Sequence, residues 1–159
     1  FGIHADEARY DAGRGLLLKG LGQGGFQADE RSGIVAWGEQ RGVAVADLDA
    51  DGRVDLALGQ NSGPTLVFRN RAARPGLRVR LKGPPGNPTG IGASLRWWAA
   101  GKAGPRREVR MGGGYCSVDS PVTILASDRA AGEVEVRWPS GAVRRVPVAA
   151  GVAEITLTP

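Results

Sequence analysis

Four aspartates, Asp47, Asp49, Asp51 and Asp55, stand at positions one, three, five and nine of one short run, with Gly52 at position six. Alternating carboxylates of this kind aim several hard oxygens at one point, and the glycine permits the sharp bend that closes the loop. Calcium is the cation such a set suits. It takes six to eight oxygens at roughly 2.3–2.6 Å, which four carboxylates, the Arg53 carbonyl and water would supply, whereas magnesium keeps more of its own water. Without a cation the four carboxylates would repel one another. The loop is not an EF-hand, because position twelve is Leu58 where that motif needs a bidentate glutamate. Its flanks also alternate like strands instead of helices.

Other chemistry is poorly provided for. The chain of 159 residues has one histidine, His4, and one cysteine, Cys116, far apart in sequence. A nucleophile with its base, or a carboxylate pair with separated roles, is therefore missing from the pattern, and no enzyme is expected. His4 reads as a surface residue and Cys116 as a small buried hydrophobe, with no internal disulfide possible. Trp97 and Trp98 are neighbours on a predicted strand, so their side chains point to opposite faces. An exposed one, with Arg96, Arg106, Arg107 and Arg110 nearby, would form an alternative site that stacks on sugars and meets acidic groups of a polysaccharide.

The elements that must position these residues are short. The 26 glycines and 10 prolines follow no fixed period and punctuate brief Val-, Leu- and Ile-rich runs, a pattern of strands and turns. An all-β chain follows. Gly15–Lys19 reads as a strand leading into a glycine-rich turn over residues 20–26. Strands at 42–46 and 54–58 flank the acidic loop as a hairpin, and another follows at 65–68 after the turn at residues 61–64. Residues 71–76 lack apolar periodicity and end in Pro-Gly, so they are the expected linker between a first unit, 1–70, and a second, 77–159. The second unit shows seven short runs, at 77–81, 93–98, 107–111, 122–125, 134–138, 142–146 and 153–157. Their number and spacing suggest a small sandwich or barrel.

The formal net charge is +5, but the first 70 residues carry seven Arg/Lys against ten Asp/Glu and the remainder fourteen against six. The halves thus differ in sign. No nucleic-acid reading motif accompanies the basic half, so nucleic acid is not an expected partner. No stretch reaches the roughly 18 apolar residues of a membrane-spanning helix. The expectation is a soluble piece whose export signal lies outside it.

The run from Gly42 to Leu56 resembles the FG-GAP or VCBS repeat of integrin-type β-propellers, whose hairpin loops bind calcium. By that resemblance Asp47, Asp49, Asp51, Arg53 through its carbonyl and Asp55 are the ligands, and the first unit is the end of a propeller. Gly90-Ile91-Gly92-Ala93, Gly112-Gly113-Gly114-Tyr115 with Ser117, and Val136-Arg137-Trp138-Pro139-Ser140-Gly141 resemble the ASPIC/UnbV domain. This chain departs from that pattern at Thr123–Ser127, where the domain usually has Phe-Gly-Leu-Gly. Physically, residues 139–141 form a turn, Trp138 belongs in a core, and the three glycines would let backbone pass close to a bulky group such as Tyr115 or Trp138. Together the resemblances imply a secreted, periplasmic or cell-surface module with a structural, adhesive or interaction role. Its partner would be a protein or an extracellular polysaccharide, and exposed sheet edges would permit self-association.

Overall fold

The computed structural model describes residues 15–159, so His4 lies outside the described residues. Within them the chain is all-β. Strands β1 (Leu18–Gly22) and β2 (Gly25–Ala28) form a hairpin, and β3 (Glu39–Ala46), β4 (Asp55–Asn61) and β5 (Leu66–Phe68) form an antiparallel sheet in that order. The expected first strand is displaced into the glycine-rich stretch, where the turn tightens to Gln23 and Gly24, both at positive φ. That leaves β2 room to pair back along β1.

Two further sheets build the second unit. One has the order β10 (Val122–Leu125), β6 (Leu77–Leu81), β13 (Glu154–Leu157), with β13 parallel to β6. The other runs β12 (Val143–Val148), β11 (Gly132–Arg137), β7 (Ser94–Ala99), β8 (Lys102–Ala103), and β9 (Arg107–Glu108) also pairs with β7. Neither sheet closes on itself, which removes the barrel alternative. Both feed one core instead. Leu77, Val79, Leu81, Leu125 and Leu157 come from the first sheet and Leu95, Trp97, Val134, Val136 and Val148 from the second. This is the period-2 pattern of strands with one buried face.

Trp138 is 4% exposed and closes this core at the end of β11, where the sequence placed it. Cys116 does not follow expectation. It is exposed and sits at φ +48 in the loop after Gly114. Tyr115 beside it is also exposed, and the atoms that lie against Gly112, Gly113 and Gly114 belong to Ser117 and Asp119, not to the Tyr115 or Trp138 ring. Gly113 is crowded by the Asp119 carboxylate, and a Cβ there would collide with it. That carboxylate is occupied elsewhere: its Oδ1 accepts the Val45 N–H at 2.9 Å, while Ser120 N–H donates to the Val45 carbonyl at 2.9 Å. The second unit thereby covers part of the free edge of β3.

Candidate metal centre

The acidic loop hangs between β3 and β4, whose register pairs Ala46 with Asp55 and so brings the two ends of the loop together. Carboxylate oxygens of Asp47, Asp49 and Asp55 lie within 4.8 Å of one another. Opposed oxygens around one calcium ion would be about 4.6–5.2 Å apart, so the three fit a common hard cation, and an all-oxygen set is the donor chemistry calcium prefers. Asp47 and Asp55 are held rigidly. The Asp47 side chain is 1% exposed, and its oxygens accept the N–H groups of Asp51 at 3.0 Å and Gly52 at 2.8 Å. Asp55 accepts Leu48 N–H at 3.0 Å through Oδ2 and Asn70 N–H at 2.8 Å through Oδ1. Asp49 is exposed, with an ion pair to Arg69.

Asp51 stands apart from the trio. Its Oδ1 accepts the Arg53 N–H at 2.8 Å and its Oδ2 pairs with Arg53 Nη1 at 2.6 Å. Desolvation pushes the Asp51 carboxyl up, but the hydrogen bonds from the Arg53 side chain and backbone outweigh it and hold the group below its ordinary value. Arg53 itself is engaged by its side chain, whose Nε donates to the Ala73 carbonyl at 2.6 Å. Of the five residues singled out from the sequence, three converge and two form an adjoining ion pair. Gly52 makes the bend at φ +88, and a Cβ on it would lie 2.8 Å from the Gly76 carbonyl. Both conformation and space therefore demand glycine.

The arginines around the loop were not foreseen. Arg78, on β6 of the second unit, is 8% exposed and pairs with Asp47 Oδ2. Its Nε donates to Glu154 on β13 at 2.7 Å. The hydrogen bond to Glu154 raises the Arg78 pKa, burial opposes this, and Asp47 adds to the rise. In turn Arg78 holds the Glu154 carboxyl below its ordinary value. Arg129 Nη2 donates to the Asp51 carbonyl at 3.2 Å, and Gly76 N–H donates to the Gly52 carbonyl at 2.8 Å. Three aspartates thus each face an arginine, so mutual repulsion is relieved by residues of the chain as well as by any cation. Only the alternation of β6 hinted at this. Leu77, Val79 and Leu81 face the core, which turns Arg78 outward, and the outward face at that point is the acidic loop.

The second candidate set is dispersed. Trp97 is in the core at 7% exposure, while Trp98 faces the opposite side of β7. Its Nε1 donates to Glu135 at 3.1 Å, and the Arg145 guanidinium lies 3.9 Å from its ring centroid, a cation–π arrangement. Arg96 is half-buried on β7, opposite Glu135. Arg106 reaches Ser94 and Glu135, Arg110 pairs with Glu108 at 2.8 Å, and Arg107 is exposed opposite Leu95.

The protein family described as ASPIC and UnbV matches residues 83–159, the stretch that carries β7 to β13. No curated protein matches the chain.

Proposed function

We propose that this chain is a non-enzymatic, calcium-binding module of an exported protein, in which the acidic hairpin is a repeat of the FG-GAP or VCBS type from a propeller edge and the cation has a structural role. The observation that carries the reading is the convergence of Asp47, Asp49 and Asp55 on one point, two of them fixed by backbone N–H groups before any ion arrives. A preformed cage of hard oxygens is suited to holding a cation such as calcium. Bound calcium would supply two positive charges to three crowded carboxylates. In this reading Asp47, Asp49 and Asp55 bind directly, and the Asp51–Arg53 pair borders the site. A loop lacking the EF-hand glutamate is suited to the millimolar calcium outside cells, which supports a secreted, periplasmic or surface location.

Adhesion or interaction with another protein or an extracellular polysaccharide is the role we assign to the module. Binding of acidic polysaccharide through Trp98 and the arginines draws less support, because Arg145 lies over the Trp98 ring and Arg110, Arg106 and Arg145 have acidic partners on the same sheet. The deciding experiment is thermal denaturation with chelator and with excess calcium. At a hundredfold excess over the dissociation constant, a ligand of the folded state adds about 2.7 kcal/mol. Calcium should raise the melting temperature and magnesium at equal concentration should raise it less; identical curves with calcium and chelator would end the calcium reading.

A further inference from the structure

Arg78 belongs to the second unit yet lies against Asp47 of the acidic loop, whose side chain is almost fully buried, and its guanidinium is divided between two acids. Asp47 Oδ2 takes one nitrogen and Glu154 Oε2 takes Nε at 2.7 Å, with Arg80 Nε 3.4 Å from the other Glu154 oxygen. Asp47 is also one of the three residues that converge for a cation. A dication held by the trio would therefore share the Asp47 carboxylate with Arg78, and the two positive charges would repel each other. We propose that Arg78 is a resident counter-ion of the loop, a positioning residue that holds the two units together when no cation is bound and sets the loop's calcium affinity low. This rests on the calcium reading above.

The chemistry gives the arrangement a definite sign. A buried carboxylate needs a compensating charge. Arg78 supplies it from β6, and backbone contacts continue the seam, with Gly76 N–H on the Gly52 carbonyl and Arg129 on the Asp51 carbonyl. A cation entering the trio must share Asp47 with a charge already there, so its affinity falls by the repulsion between them. Glu154 works the other way. It neutralises Arg78 and draws the guanidinium from Asp47, so it favours the cation. The two residues should thus have opposite effects, although both belong to one ion-pair chain and a purely structural role would send both losses in the same direction.

The test is calorimetric titration of calcium chloride into the 159-residue chain at low ionic strength, for the wild type, Arg78→Gln and Glu154→Gln. Taking away one positive charge near a bound dication should tighten Arg78→Gln about tenfold, even if the interaction is screened almost as in water. Glu154→Gln should bind severalfold more weakly than the wild type. An Arg78→Gln chain that binds no more tightly than the wild type overturns the proposal. Should Arg78→Gln fail to fold, Glu154→Gln decides alone, and unchanged or tighter binding there overturns it equally. If the wild type binds no calcium at millimolar concentration, the calcium reading itself falls and this inference falls with it; a wild type that binds while the variants shift together sinks the inference only.

Discussion

Replacing Asp55 with alanine should separate what the loop does for the fold from what it does for a cation, when set beside the same change at Asp49. Asp55 is 2% exposed and accepts two backbone N–H groups, from Leu48 across the loop and from Asn70 after β5. Asp55→Ala strands both donors. An unsatisfied donor costs about 1–3 kcal/mol, and since both bonds are only partly buried the lower end applies, giving about 2–3 kcal/mol in all. For a chain of this size that is a fall of about 6–10 °C in melting temperature, with chelator present. Asp49 is exposed, and apart from the trio its contact is the surface ion pair with Arg69. Asp49→Ala should therefore cost under about 1 kcal/mol in chelator, within about 3 °C of the wild type. Both variants should lose most of the calcium-dependent rise. The assay is circular dichroism melting in chelator and in excess calcium. An Asp55→Ala chain that melts in chelator alongside the wild type would refute the hydrogen-bond reasoning, and an Asp49→Ala chain that keeps the full calcium response would remove it from the cage.

Two further expectations concern the second unit. Gly132 begins β11 where a Cβ would run into the Trp97 ring and the Trp98 carbonyl, so Gly132→Ala should cost about 1–3 kcal/mol by overpacking, visible in urea denaturation as a lower midpoint with an unchanged slope. Glu154 is held below its ordinary pKa of 4.5, first by the hydrogen bond from Arg78. Its contribution is therefore complete above pH 4.5 and is lost as pH falls through the lowered value. Melting temperatures of the wild type and Glu154→Gln should differ near neutral pH and converge as the solution is acidified below 4.5; a difference that persists there would contradict the assignment.

The sequence made strands legible wherever apolar alternation was clean. Leu77–Leu81 and Val122–Leu125 are strands with the bounds the pattern indicates, because each is an inner strand or its direct neighbour with one face in the core. Short polar strands were not legible. Lys102–Ala103 and Gly25–Ala28 owe their state to a pairing partner across a tight turn, and no residue in them marks a buried face. The run at 107–111 shrank to two residues because only Arg107 and Glu108 pair with β7, while Val109 leaves the ladder to enter the core and to exchange backbone hydrogen bonds with Ala93 and Gly92.

The acidic loop shows the same limit in its charges. Spacing along one chain singled out Asp47, Asp49, Asp51 and Asp55 alike, and the convergence of Asp47, Asp49 and Asp55 depends only on a local bend and one hairpin register. It could not reveal that Asp51 would turn to Arg53, nor that Arg78 would arrive from β6, 31 residues away from Asp47. Long-range pairs of this kind are set by how the two units meet. The stretch 71–76, read as a linker from its composition, carries no strand, yet it is pinned at both ends. Asn70 Oδ1 accepts the N–H groups of Ala72 and Ala73 at 3.3 and 3.1 Å, the Ala73 carbonyl takes Arg53, and Gly76 is buried against Gly52. A connection fastened this way cannot act as a free tether. Whatever the acidic loop gains or loses is felt directly at the start of β6, which puts Arg78, two residues beyond Gly76, at the point where the state of the loop and the seating of the second unit meet.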